Sequence, residues 1–124
     1  MKTVQTSKAP RPIGPYSQAT VEGGFVFTSG MIAIDPETGK LVPGGVREQT
    51  IRVLENIKAI LEEAESSMQK VVKTTVYLKD ASLFKDMNEA YTGFFENHRP
   101  ARSTVVCGFM LDEVLVEIDA IARA

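Results

Sequence analysis

The apolar residues of this chain change their spacing several times, and each spacing predicts a different element. From Val46 to Ala64 they fall at 46, 53, 54, 57, 60, 61 and 64, with Arg47, Glu48, Arg52, Glu55, Glu62 and Glu63 on the remaining surface. That is the stripe of an amphipathic helix. Val71 to Lys79 is rich in β-branched residues and holds no Gly or Pro, which predicts a central strand. Asp80 offers an N-cap for a second helix over about 82–97, whose stripe is Phe84, Met87, Tyr91, Phe94 and Phe95. Pro100 ends that segment, and two strand-like runs follow, Arg102 to Cys107 and Val114 to Ala122.

Upstream, residues 9–17 carry three prolines and a glycine and form a loop, because fixed proline φ angles forbid a helix there. Gln18 to Glu22 and Phe25 to Ser29 are strand-like runs joined by Gly23-Gly24, a pair suited to a hairpin turn. Asp35-Pro36-Glu37-Thr38-Gly39 is a turn by composition, and Pro43-Gly44-Gly45 breaks the chain before the first helix. The order β-β-α-β-α-β-β describes an α+β fold, one sheet covered on one face by two helices, with residues 1–124 as a single domain.

Strand parity describes the uncovered face. Val116, Ile118 and Ala120 point one way, while Leu115, Glu117, Asp119 and Ile121 point the other; likewise Val72, Val76 and Leu78 oppose Val71, Lys73, Thr75 and Tyr77. Such a mixed face suits burial against neighbouring subunits, with its polar groups gathered around a site.

Composition narrows the function classes. Hydrophobic residues make up 44% and charged residues 24% of the 124, a globular balance. The formal net charge is −2, with Lys and Arg scattered, so a basic face for nucleic acid is not expected. A lone cysteine, Cys107, permits neither an intrachain disulfide nor a zinc site of paired thiolates and fits a reducing compartment. The first eight residues lack an apolar signal core, and no run approaches the ~18 apolar residues of a spanning helix. A cytoplasmic protein without membrane contact is expected.

Candidate chemistry is sparse. Arg102, at the start of a strand, can hold a carboxylate through two parallel hydrogen bonds, although position alone favours a surface salt bridge. Glu117 stands mid-strand among apolar neighbours, where a carboxylate needs a partner; a buried ion pair with Lys73 or Arg102 and a functional acid are equally good readings. Asn88 falls on the sheet-facing stripe of the second helix, where its amide must find partners, and position alone favours a buried amide tying the helix to a loop backbone. Tyr16 and Ser17 lie in the proline-rich loop, and Ser29-Gly30 ends a strand where a glycine lets a ligand approach. The only histidine, His98, sits in a polar turn and reads as a surface residue, which leaves histidine metal sites and Ser-His-Asp triads without support. No glycine pattern cradles phosphates, and Cys107 reads as a small core residue.

Six segments, in order, carry a resemblance: Ile13-Gly14-Pro15-Tyr16-Ser17-Gln18-Ala19, Phe27-Thr28-Ser29-Gly30, Asp35 to Gly39, Val71 to Asp80, Pro100-Ala101-Arg102-Ser103 and Val116 to Ala122. Together they are similar to the successive motifs of the RidA (YjgF-type) family. The resemblance implies a chorismate-mutase-like fold and a homotrimer with a central barrel, its active sites in clefts between subunits. It implies cofactor-independent hydrolysis of 2-aminoacrylate, 2-aminocrotonate and their imine tautomers to 2-oxo acids and ammonia. Carried onto this chain, Arg102 matches the substrate-carboxylate arginine and Glu117 the acid beside the attacking water, while Tyr16, Ser29, Gly30 and Asn88 match positions that line or support the pocket. Backbone N–H groups near Thr104 would help hold the carboxylate.

Two departures stand out. Many bacterial members have Cys where this chain has Thr104, and the segment Gly108 to Glu113 lacks their Leu-Pro. Two other readings use the same residues differently: a non-catalytic trimer that senses 2-oxo acids, which needs Arg102 but not Glu117, and the RNA cleavage attributed to some relatives, which the acidic balance disfavours.

Overall fold

The hairpin forms where the glycine pair predicts it. Gly23 and Gly24 both have positive φ (59° and 85°), the conformation of a two-residue turn matched to strand twist. It joins β2 (Ala19–Glu22) to β3 (Phe25–Thr28). The structure, a computed structural model, describes residues 1–124. It adds three short elements with too few residues for a readable alternation: β1 (Lys2–Val4) and the hairpin pair β4 (Ile34–Asp35) and β5 (Lys40–Leu41) around the expected turn.

Helix α1 (Val46–Glu63) begins at Gly45, whose N–H donates to Glu48 Oε1 (2.8 Å). Strand β6 (Val71–Leu78) leads to a single 3-10 turn at Ala81–Leu83, which Asp80 caps by accepting from the Ser82 N–H (2.8 Å). Helix α2 (Phe84–Thr92) follows, then β7 (Ala101–Val106) and β8 (Val116–Arg123). The expected second helix is therefore shorter than 82–97. Gly93, a poor helix former, ends it, yet Phe95 beyond remains 3% exposed against Tyr91.

The large sheet runs β1-β2-β3-β8-β6-β7, antiparallel throughout except for the parallel β6–β7 pair, which needs the α2 crossover. Both helices cover the same face. Their buried side chains, among them Leu54, Ile57, Ile60, Leu61 and Met87, pack on Val76, Leu78, Val116, Ile118 and Ala120 in one core, each worth ~1.5–3 kcal/mol for a large aliphatic group.

One parity expectation needs correction. A β-bulge between Val71 and Lys73 shifts the register on β8, so Val71 is buried with Thr74, Val76 and Leu78 while Val72 is 39% exposed. An extra residue in one strand reverses the alternation beyond it. The rest of the reading holds. Phe27, Tyr77, Glu117, Asp119 and Ile121 are half-buried or exposed on the uncovered face, and Val105 is paired with Tyr77 there.

Three buried amides brace the loops above this sheet. Gln49 accepts from Leu115 N–H (2.9 Å) and donates to the Glu113 carbonyl (2.8 Å). Asn56 donates to the carbonyls of Ile32 (3.2 Å) and Ile34 (2.9 Å). Gln18 accepts from Thr6 N–H (2.7 Å) and donates to the carbonyls of Thr6 (3.0 Å), Ala9 (3.3 Å) and Pro10 (2.8 Å), tying down the proline-rich loop. Such satisfied buried amides fix loop positions, since losing a partner leaves a costly unpaired group.

Candidate active site

Arg102 and Glu117 lie on opposite faces of the same sheet. Thr74, Val76 and Leu78 are in register with Arg102, Thr104 and Val106 of β7 and with Ala120, Ile118 and Val116 of β8, which places Arg102 and Thr104 on the helix-covered side. Glu117 is in register with Tyr77, on the uncovered side. The ion pair between Arg102 and Glu117 does not form, and neither does one with Lys73, whose ammonium donates to Ser103 Oγ (2.8 Å).

Arg102 is not in a surface salt bridge either. Its guanidinium lies over the rings of Tyr91 (4.9 Å to the centroid) and Phe84 (5.7 Å), both from α2. Such stacking holds the fork in place while leaving its N–H groups available. The cavity here, about 330 Å³, is lined by Asn88, Tyr91, Thr92, Phe95, Arg99, Pro100 and Arg102. Tyr91 is itself anchored by a hydrogen bond with buried Thr74 (2.8 Å). Asn88 lines this cavity, but the partners expected for its amide are not all found: its Oδ1 is buried with no hydrogen-bond partner. An orphaned acceptor of this kind is rare in a folded protein. Thr104 is half-buried, two residues along the same face of β7. That strand is at the sheet edge, so part of its backbone is unpaired within the chain.

Glu117 belongs to a second cavity, of about 190 Å³, with Tyr16 and Gly30 on its lining. After β3 the chain leaves the sheet at Ser29 and returns at Met31, which bridges Ile118 through two backbone hydrogen bonds (2.8 and 3.1 Å). Gly30 thereby lies against the Glu117 side chain. A Cβ at position 30 would stand 2.3 Å from Oε2 and 2.8 Å from Cδ, so only glycine admits this carboxylate placement. Burial, and then the charge of Asp119, push the Glu117 carboxyl above its ordinary pKa. Asp119 accepts from the Tyr77 hydroxyl (3.0 Å).

Ser29 and Tyr16 shape the mouth. Ser29 Oγ donates to the Ser17 carbonyl (2.6 Å) and Ser29 N–H to that of Gln18 (2.8 Å), so this hydroxyl secures the loop that carries Tyr16. Tyr16 is 49% exposed, its hydroxyl within reach of the Ile13 N–H (3.4 Å). Gly30→Ala is expected to displace the flexible Glu117 carboxylate with little change in Tm, measured by crystallography and thermal unfolding side by side.

Two sequence expectations fall away. His98 is half-buried, its Nε2 bonded to the Val71 carbonyl (2.5 Å) at the β-bulge. Cys107 is half-buried just past β7, outside the core. No group of three or more His, Cys, Asp or Glu side chains is placed to hold a metal ion, and no helix is long and apolar enough to cross a membrane. Sequence marks Phe84 and Tyr91 only as packing residues of the helix stripe and does not mark Arg99, though the spacing of Phe84, Asn88 and Tyr91 along one helix face carried the signal.

The fold and its paired cavities define a class: small α+β proteins with a guanidinium and a raised carboxyl on opposite faces of one sheet. Residues 6–124 match the family described as Endoribonuclease L-PSP, and the chain belongs to that family, which includes the Rid proteins. It is 54% identical over 121 residues to a RutC family protein of Pyrococcus abyssi, covering 98% of this chain and 95% of that protein. The crystal structure of RidA from the Antarctic bacterium Psychrobacter sp. superposes with a TM-score of 0.94 at 40% identity, covering 100% of both chains. That of E. coli TdcF with bound serine superposes with a TM-score of 0.93 at 40% identity, covering 100% of this chain and 99% of the other.

Proposed function

We propose that the chain, working as one domain, hydrolyses 2-aminoacrylate, 2-aminocrotonate and their 2-imino acid tautomers to 2-oxo acids and ammonia, without a cofactor, in the cytoplasm. The observation that carries this reading is the separation of an unpaired, stacked guanidinium from a carboxyl with a raised pKa. Each half alone is an incomplete site. A homotrimer, with the uncovered sheet faces forming a central barrel, brings Arg102 of one subunit towards Glu117 of the next. Half-exposed Phe27, Val105 and Val72 supply apolar surface for such packing. The serine in the related TdcF structure, a small ligand with an α-carboxylate, fits the same reading.

In this mechanism the Arg102 fork grips the substrate carboxylate, assisted by backbone N–H groups near Thr104 at the sheet edge. The orphaned Asn88 Oδ1 supports the same cavity, and Tyr16, Ser29 and Gly30 define the other. Positioning of the imine carbon supplies much of the acceleration. A water adds to that carbon as Glu117 takes its proton, and the C=N electron pair moves to nitrogen. The nitrogen takes that proton back from Glu117 to give the carbinolamine; Glu117 then accepts the hydroxyl proton as the C=O bond re-forms and the C–N bond breaks, and passes it to the departing nitrogen, which leaves as ammonia.

The reading is tested by generating 2-aminoacrylate with a serine/threonine dehydratase and following the imine. Faster decay with protein present is expected; an unchanged rate eliminates the hydrolase. Light scattering should give about three times the 13.6 kDa chain mass, and a stable monomer would contradict the shared site.

A further inference from the structure

We propose that the cavity beside Glu117 receives the side chain of the imino acid and selects aliphatic side chains the size of those of leucine and methionine over the methyl of the alanine- or serine-derived imine. This rests on the hydrolase reading above and names its substrate class.

The two cavities differ in chemistry. The one at Arg102 is polar, with Asn88, Thr92 and Arg99 around the guanidinium, and suits the carboxylate. The one at Glu117 has Ile13, Ile32, Phe109, Met110, Leu111 and Val114 for walls, and Glu117 is its only carboxylate. A reacting carbon within reach of a water at Glu117 therefore directs its substituent at hydrocarbon. The volume of about 190 Å³ equals roughly six waters at ~30 Å³ each, far more than a methyl group fills.

Phe109, Met110 and Leu111 form the outer wall, in the segment where this chain departs from the Leu-Pro pattern. Met110 is fully exposed (101%), Ile13 87% and Leu111 51%. A cluster of apolar side chains left in water around a carboxyl of raised pKa gains from being covered by an apolar substituent. Met110, unbranched and adaptable, can close over substituents of different shape. The base of the wall is firm. Gln49 holds Glu113 and Leu115, and Asn56 holds Ile32 and Ile34, so the cavity does not collapse onto a small substrate.

The full-length chain titrated calorimetrically with pyruvate and with 4-methyl-2-oxopentanoate, the corresponding products, reads this cavity without turnover. Each buried methylene is worth about tenfold or more in discrimination, so binding of the larger acid at least ~10-fold tighter is expected. Met110→Ser and Leu111→Ser should each shrink that ratio. Equal or weaker binding of the larger acid, or binding of neither, overturns the assignment. A loss of assembled mass in Met110→Ser with an unchanged ratio would give the patch to the subunit interface and also overturn it. A protein that shows the expected ratio but does not accelerate imine decay would remove the hydrolase reading alone. Imines made in situ from leucine and alanine by an amino-acid oxidase should follow the same order in kcat/KM.

Discussion

Arg102→Lys should lower kcat/KM for the 2-aminoacrylate-derived imine by about a hundredfold, the scale on which small misplacement of a reacting group costs rate. Lysine keeps the positive charge but replaces a planar fork with a point donor. Had Arg102 served only to balance Glu117, either cation would do; in the protomer it touches no carboxylate and lies over Tyr91 and Phe84. Those rings orient the plane of the guanidinium, and an ammonium has no plane to orient. Arg102 is half-buried over the Tyr91 ring, and because lysine keeps a cation there the change costs at most ~2 kcal/mol, so the assembled mass should stay at wild type and Tm fall by only a few degrees. Near-normal turnover in a folded Arg102→Lys protein would remove the clamp and leave the activity resting on family resemblance.

Glu117→Gln should reduce kcat by about 10²–10⁴, the usual contribution of a positioned acid or base, while binding of 2-oxo acids persists. The pH profile adds an independent check. Burial and Asp119 raise the Glu117 pKa, so the carboxylate takes up its proton at a higher pH than an ordinary glutamate. The base form is present above that pKa and is lost as pH falls through it. The acid limb of kcat/KM should therefore lie above the ordinary glutamate range in the wild type and vanish in Glu117→Gln. Asp119→Asn should move the limb down, because a like charge is removed. A wild-type protein that binds 2-oxo acids but shows no turnover to lose would favour the sensing trimer instead.

Much of this architecture was legible in the sequence because it depends on local spacing. The stripes of Val46 to Ala64 and of Phe84 to Tyr91, the Gly23-Gly24 turn and the alternation of Val116 to Ala122 all follow from neighbours a few residues apart. What escaped depends on distant partners. Gln18, Gln49 and Asn56 are polar residues in buried positions, and nothing local announces the carbonyls that satisfy them. The bulge at Val71 to Lys73 inverted an otherwise sound parity reading. The opposition of Arg102 and Glu117 was hidden for a related reason: the parallel register of β6 on β7 is set across the α2 crossover, and a slip of one residue would place Arg102 on the other face. The site residues themselves came from motif resemblance.

The placement of these two side chains on opposite faces has a genetic consequence. In the proposed closed ring of three, each chain would lend its arginine to one neighbour and its glutamate to another. A chain damaged at Arg102 and a chain damaged at Glu117 are each inactive alone, yet a mixed ring contains one junction where an intact arginine meets an intact glutamate. On the proposed trimeric hydrolase, defects in the two halves of this site should therefore complement each other when co-expressed, whereas two defects within the same half should not.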